Sequence, residues 1–296
     1  MAILGLFDKF NGLHGSGNIR KTVFSVEATL EGKLERDFVA GVDYDDSRKI
    51  LKEVISNLEG KYLDDLMGRA TVENIALYLL FHLQSTGFTS IKVTEGTDQY
   101  VTIFSNDVPE DYPIRRLFGI AASQLVRQKF QESCNSFTEV LRIKPQMAEA
   151  FNCRGRCFRH MNKPNFALID FSSAIELQPS FGEAYRNRGN VKYDLKRFSD
   201  MLTDFDQAVK LLPNSALAFN NRGFALQHFN QYKQAIKDHK KAIEIEPTFV
   251  RAYFDLAKAY EGIGEAKLSQ RCKMKAQQLP EQDPFQLEWK KVTYPK

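Results

Sequence analysis

Residues 215–248, SALAFNNRGFALQHFNQYKQAIKDHKKAIEIEPT, decide the fold of most of this chain. The stretch ends on the word IEIEP, and related words close earlier and later stretches: LRIKP, IELQP, VKLLP and AQQLP. Prolines fall at Pro145, Pro179, Pro213 and Pro247, each 34 residues after the last, and Pro280 lies one residue short of the next step. A fixed period of two amphipathic helices marks a stacked array, because one such unit cannot bury its apolar face alone. In three units a large aromatic, Phe151, Tyr185 or Phe219, is followed four residues on by Gly155, Gly189 or Gly223. The glycine lets the two helices of a unit close on each other while the aromatic fills the groove. Ala174, Ala208, Ala242 and Ala276 recur late in the second helix, with Ala167, Met201 and Ala235 near its start. In the first and fifth units Leu117 and Tyr253 hold the aromatic's place, and Ala121 and Ala257 replace the glycine. End units differ because one of their faces meets something other than a repeat.

These residues resemble the tetratricopeptide repeat (TPR) family, with five repeats at about 113–146, 147–180, 181–214, 215–248 and 249–282 and a tail over 283–296. The resemblance implies a concave surface that binds a protein or peptide partner, often an extended segment or a chain terminus. TPR domains that grip a terminal carboxylate use two basic residues and two asparagines on successive first helices, plus a further basic residue. That pattern maps onto Arg186, Asn190, Asn221 and Arg251, and its last position falls on Asp255. Asp255 is expected to repel a terminal carboxylate, and Arg186 and Arg251 are expected to be surface residues of small consequence for folding. Asn187 shares the register of Asn221 and is a further partner-binding candidate. Cys153, Cys157 and His160 lie on one helical face, but zinc sites of this kind have a second ligand pair, so packed thiols are the expectation.

Composition bounds the remainder. The chain has 296 residues, 43% hydrophobic and 26% charged, which excludes a disordered tail, a collagen-like fibre and a small disulfide scaffold. The uncharged run Asn74–Ile91 turns polar in its second half (HLQSTGFTS), so no membrane span is expected. Four cysteines without framework spacing point to reduced thiols and a cytoplasmic location. Charge is polarised. Residues 1–111 carry 11 Lys and Arg against 18 Asp and Glu, a net −7, and residues 112–296 carry 30 against 19, a net +11. That balance suits an acidic protein or peptide partner for the basic part; no nucleic-acid or membrane partner is expected.

Within the first part, 1–111, residues 19–111 read as strand, strand, helix, helix, strand, strand. Phe24, Val26, Ala28 and Leu30 alternate with polar residues, and Phe38–Tyr44 is a second short apolar run. Asp45 or Asp46 caps a helix carrying Ile50, Leu51, Val54, Ile55 and Leu58, and Thr71 caps a more apolar one through Leu83. SIKVTE and QYVTIF then form a hairpin around GTDQ. The leading segment AILGLFDKF suits either a shortened first strand or an amphipathic docking helix.

Three stretches here, FVAGVDYDDSRKILKEVI, NLEGKYLDDL and TVENIALYLLFHL followed by SIKVTEGTDQYVTIF, resemble the 6-pyruvoyl-tetrahydropterin synthase and 6-carboxytetrahydropterin synthase family of the T-fold. The expected fold class is therefore an α+β T-fold domain (ββααββ) followed by an all-α TPR solenoid. The family holds zinc on three histidines, whereas this domain has only His14 and His82. Gly60 and Glu59 stand where the family has a catalytic histidine and its aspartate, and no cysteine precedes Cys134 to serve as base. No cofactor and no catalytic residue are expected. Glu95 matches the glutamate that binds the pterin edge, and Glu73 reads as an acid in the first turn of a helix. T-fold sheets close into barrels between subunits, so the resemblance implies a homo-oligomer. The reading that follows is a noncatalytic oligomeric adaptor, with a pterin sensor or a pterin-pathway enzyme with a rebuilt site as alternatives.

Overall fold

The protein is described from a computed structural model, which covers residues 2–14, 20–32, 34–35, 38–39, 44–56, 58, 72–82, 90–95, 99–104 and 110–280. Two compact units divide it, one ending at Ile143 and the other beginning at Lys144.

In the first unit, β1 (Ala2–His14), β2 (Arg20–Gly32), β5 (Ser90–Glu95) and β6 (Gln99–Phe104) form an antiparallel sheet in the order β1-β2-β5-β6. The leading segment is thus a strand. Its apolar positions fit no single period, and what fixes it is pairing with β2 along its whole length, from Ala2 opposite Gly32 to His14 opposite Arg20. Of the expected strand over 38–44, Phe38–Val39 form β4, paired with β3 (Leu34–Glu35) in a separate two-stranded sheet, and 40–43 lie outside the described residues. Tyr44 already opens helix α1 (Tyr44–Ser56), so Asp45 and Asp46 fall inside its first turn. Helix α2 (Val72–His82) begins one residue after Thr71 and lies against β5 and β6. The reason is burial: Ile75, Ala76, Leu79 and Leu80 of α2 are fully covered, as are Ile91 and Val93 of β5, and Val26 stands opposite Val93. Leu51 and Ile55 of α1 and the following Leu58 join this core.

The first helical hairpin, α3 (Tyr112–Val126) and α4 (Phe130–Ile143), belongs to the same unit. Phe118 and Phe137 meet edge to face at 5.3 Å inside it, and Tyr112 packs on Phe81 of α2 at 5.4 Å.

The second unit stacks four hairpins: α5 (Ala148–His160) with α6 (Pro164–Leu177), α7 (Gly182–Asp194) with α8 (Phe198–Leu211), α9 (Ala216–His228) with α10 (Tyr232–Ile245), and α11 (Val250–Gly262) with α12 (Ala266–Gln278). Every hairpin turn, that of α3–α4 included, passes through one left-handed residue: Gln128, Asn162, Lys196, Asn230 and Gly264, spaced 34 apart. The next residue's N–H then reaches back to the first helix, as from Lys163 to the Phe158 carbonyl at 2.8 Å and from Arg197 to that of Lys192 at 2.8 Å.

Close approach within each hairpin is what the glycines allow. A methyl group on Gly155 would meet the Phe171 ring at 2.9 Å, on Gly189 the Phe205 ring at 2.7 Å, and on Gly223 the His239 ring at 2.7 Å. Ala174, Ala208 and Ala242 are completely buried on the partner helices. Successive first helices touch one another, α5 with α7, α7 with α9 and α9 with α11, while successive second helices make no comparable contact among the described residues. First helices therefore line the inner, concave side of the array, and second helices form its outer side.

Candidate functional site

The inner face is built by the same helical positions repeated on α5, α7, α9 and α11. Asn187 donates from Nδ2 to Asn152 Oδ1 at 2.9 Å, one repeat away, and Asn221 donates to Asn190 Oδ1 at 3.0 Å. Side-chain amides thus form rungs from α5 to α7 and from α7 to α9. Of the residues singled out in the sequence, this brings Asn190 together with Asn221 and Arg251 together with Asp255. Arg186 is buried, with 5% exposure, so it is not the surface residue the sequence suggested.

Asp255 differs more from expectation. Only 1% of it is exposed. Its Oδ2 accepts from Asn220 Nδ2 at 3.0 Å and from Arg251 Nε at 3.0 Å. A carboxylate so covered is not an open charge that repels a ligand; it holds Arg251, whose side chain stays 64% exposed, in a set direction. Behind it lies His239, at the place occupied by Phe171 and Phe205 in the two preceding hairpins. His239 donates from Nδ1 to Asn220 Oδ1 at 2.9 Å and accepts at Nε2 from Gln227 Nε2 at 2.7 Å. Gln227 also reaches the Asp255 carbonyl at 2.7 Å. Burial pushes the His239 pKa down to about 4, against the pull of Asp255 and Asp238, so the ring is neutral at pH 7.

A second set of polar residues escaped the sequence reading altogether. Arg154, Arg188 and Arg222, each just before the hairpin glycine, grip Asp170, Asp204 and Asp238 sixteen residues on. All three pairs are two-pronged, with distances of 2.7–2.9 Å. Lys192 adds a contact to Asp204 at 2.8 Å. At Asp170 burial outweighs Arg154 and pushes the carboxyl up. The signal was present as the words CRGR, NRGN and NRGF with an aspartate at a constant distance, but its period was hidden among the surrounding charges.

Cys153 and Cys157 are buried, and burial pushes the Cys153 thiol up to about 11, the state of an inert packed thiol. No group of three metal-binding side chains occurs among the described residues. In the first unit Glu95 ends β5, paired with Phe24 and Gln99, and Glu73 is the second residue of α2. The side chains of Glu95, Glu73 and His14, together with Glu59 and Gly60, lie outside the described residues.

Family comparison bears on both parts. The 6-pyruvoyl tetrahydropterin synthase family matches residues 13–106, and the TPR repeat matches residues 230–264. The chain is a 6-pyruvoyl tetrahydropterin synthase-like domain fused to a TPR array. Among solved structures, MamA from Desulfovibrio magneticus RS-1 is 20% identical, with 56% of this chain and 94% of that one covered and a TM-score of 0.50. Another MamA structure is 23% identical over 53% and 92%, with a TM-score of 0.48. The APC/C hetero-tetramer Cut9–Hcn1 is 16% identical over 56% and 34%, with a TM-score of 0.50. The two likenesses at 0.50 show the fold of the array. A search of curated proteins gives no match. Among the described residues no helix is long and apolar enough to cross a membrane.

The zinc of the synthase family does not fit the synthase-like domain. His14 ends β1, whereas His82 sits on α2, where its Nδ1 donates to the Tyr78 carbonyl at 2.7 Å and its ring stacks on Tyr78 at 4.1 Å. Two imidazoles, one of them committed to its own helix, do not make a three-histidine site.

Proposed function

We propose that the chain is a noncatalytic adaptor, in which the synthase-like domain assembles a homo-oligomer and the TPR array holds a polypeptide partner on its inner face. The observation that carries this reading is the run of paired amides along successive first helices, ending at an arginine pointed outward by a buried carboxylate. Amides both donate and accept, which suits the backbone of an extended peptide, and Arg251 suits an acidic group on it. Asn187 belongs to the buried rung with Asn152, while Asn190, Asn221 and Arg251 make the contacts. Arg251→Ala combined with Asn190→Ala is expected to weaken capture of the native partner by about tenfold, or about 1.4 kcal/mol. Pull-down at graded bait concentration measures this, and capture at wild-type strength by the well-folded variant removes the inner face from consideration.

Assembly is supported by the sheet order, in which β1 and β6 are the outer strands among the described residues. Light scattering of the full chain is expected to give a multiple of 33.9 kDa at micromolar concentration. A monomer there would refute the oligomeric half of the proposal while leaving the peptide-binding half standing. Several arrays on one assembly raise avidity without any new contact.

A further inference from the structure

The outer side of the array carries a feature that the inner-face reading does not use. Three equivalent positions on the second helices are basic in the last two hairpins: Lys233, Lys237 and Lys241 on α10, and Lys267, Arg271 and Lys275 on α12. The same positions in the first three hairpins hold Gln131, Asn135 and Glu139, then Asn165, Ile169 and Ser173, then Ser199, Thr203 and Gln207. Six of six are basic in one group and none of nine in the other, so repeat architecture by itself does not ask for cations there. Five of the six are exposed, and Lys241 is half-buried. Like charges four residues apart on a helix are destabilising, and each helix here carries two such pairs.

Little nearby neutralises them. Lys241 meets Glu244 of its own helix at 2.7 Å, and no ion pair involves the other five among the described residues. Asp238, the acid in the middle of α10, is buried and taken by Arg222. No aspartate or glutamate occurs on α12 at all. Met274, next to Arg271 and Lys275 on the helical surface, is 51% exposed, which adds an adaptable apolar contact inside the basic field.

We infer that the outer face of α10 and α12 docks an acidic amphipathic helix of a partner protein, separately from the inner face. Cations at every fourth residue repeat at about 6 Å along each helix, the same interval at which glutamates recur on one side of a helical partner. Met274 favours a polypeptide over nucleic acid, since a phosphate backbone has no apolar side to offer a thioether. The attraction is steered from a distance and weakens with salt.

The test uses the full chain and a fluorescent helical peptide with glutamate at every fourth position beside a leucine stripe. Anisotropy should show saturable binding that weakens as salt rises. Lys237→Glu with Arg271→Glu is expected to reduce affinity at least about tenfold, and Lys237→Gln with Arg271→Gln by less, with melting temperatures at or above the wild-type value because repulsive pairs are relieved. The inner-face variant carrying Arg251→Ala and Asn190→Ala should bind the peptide as the wild type does, which separates this surface from the peptide groove. Undiminished binding by both the reversed and the neutral variants overturns the inference. So does tighter binding of a duplex DNA or of anionic vesicles than of the peptide, measured at the same salt.

Discussion

Asp204→Ala is expected to destabilise the array by about 3–5 kcal/mol, the cost of orphaning buried charge. Asp204 is almost fully covered, and three bonds converge on it: two from Arg188, at 2.9 and 2.8 Å, and one from Lys192 at 2.8 Å. Removing the carboxylate leaves two cations, with side chains only 20% and 14% exposed, without the anion they are bonded to. Asp206, two residues on, supplies the control. Its side chain is 56% exposed and meets Arg222 at 3.3 Å, so Asp206→Ala should cost under about 1 kcal/mol. The pair itself is a different quantity from the cost of breaking it. Arg188→Met with Asp204→Leu and Lys192→Met removes all the charges together and should come much closer to wild-type stability than Asp204→Ala does. Urea unfolding of the four proteins decides this. Equal midpoints for Asp204→Ala and Asp206→Ala would show that the Arg–Asp ladder does not hold the hairpins.

Acid should loosen the array through His239. The group is completely buried, and its folded-state pKa of about 4 lies below the ordinary value of 6.5. A histidine with a depressed pKa binds its proton more readily in the unfolded chain. Its contribution is therefore complete above about pH 6.5 and is lost as pH falls towards 4, amounting to about 3 kcal/mol over that window. The geometry gives the reason. Nε2 accepts from Gln227, and protonation turns that acceptor into a donor facing another donor. Asp255, Asp238 and Arg251 surround the site, and the two carboxylates moderate the effect without cancelling it. His239→Phe, which copies Phe171 and Phe205, should flatten the pH dependence of stability between 4 and 6.5. It should also cost about 1–3 kcal/mol at neutral pH, because Asn220 and Gln227 lose a buried partner. A variant that keeps the wild-type slope would place the titrating group elsewhere.

Much of the array is legible in the sequence alone. The proline period, the aromatic–glycine pairs and the recurring alanines each concern residues that must sit at one place in every hairpin, and a repeated place is a repeated word. Arg186, Asp255 and His239 were not legible in this way. Asp255 looks like an exposed acid on a helix, and its buried donor Asn220 lies 35 residues before it on another helix. His239 shows no periodic signal, because it replaces a core aromatic in one repeat and its partners Asn220 and Gln227 belong to another helix.

The N-terminal part divides along the same line. Alternation in β2 and in the β5–β6 hairpin, and the apolar face of α2, belong to the local sequence and were read from it. The leading segment was ambiguous because its apolar residues satisfy neither the helical nor the strand period, and thirteen backbone pairings with β2 resolve it. Sequence by itself determined the elements whose pattern repeats or alternates, since burial of one face imposes a period on the residues that make it. The tertiary structure alone decided which polar groups are buried, which arginine is held outward and which strand lies at the edge, because those depend on partners many residues away, and no local pattern encodes a distant partner.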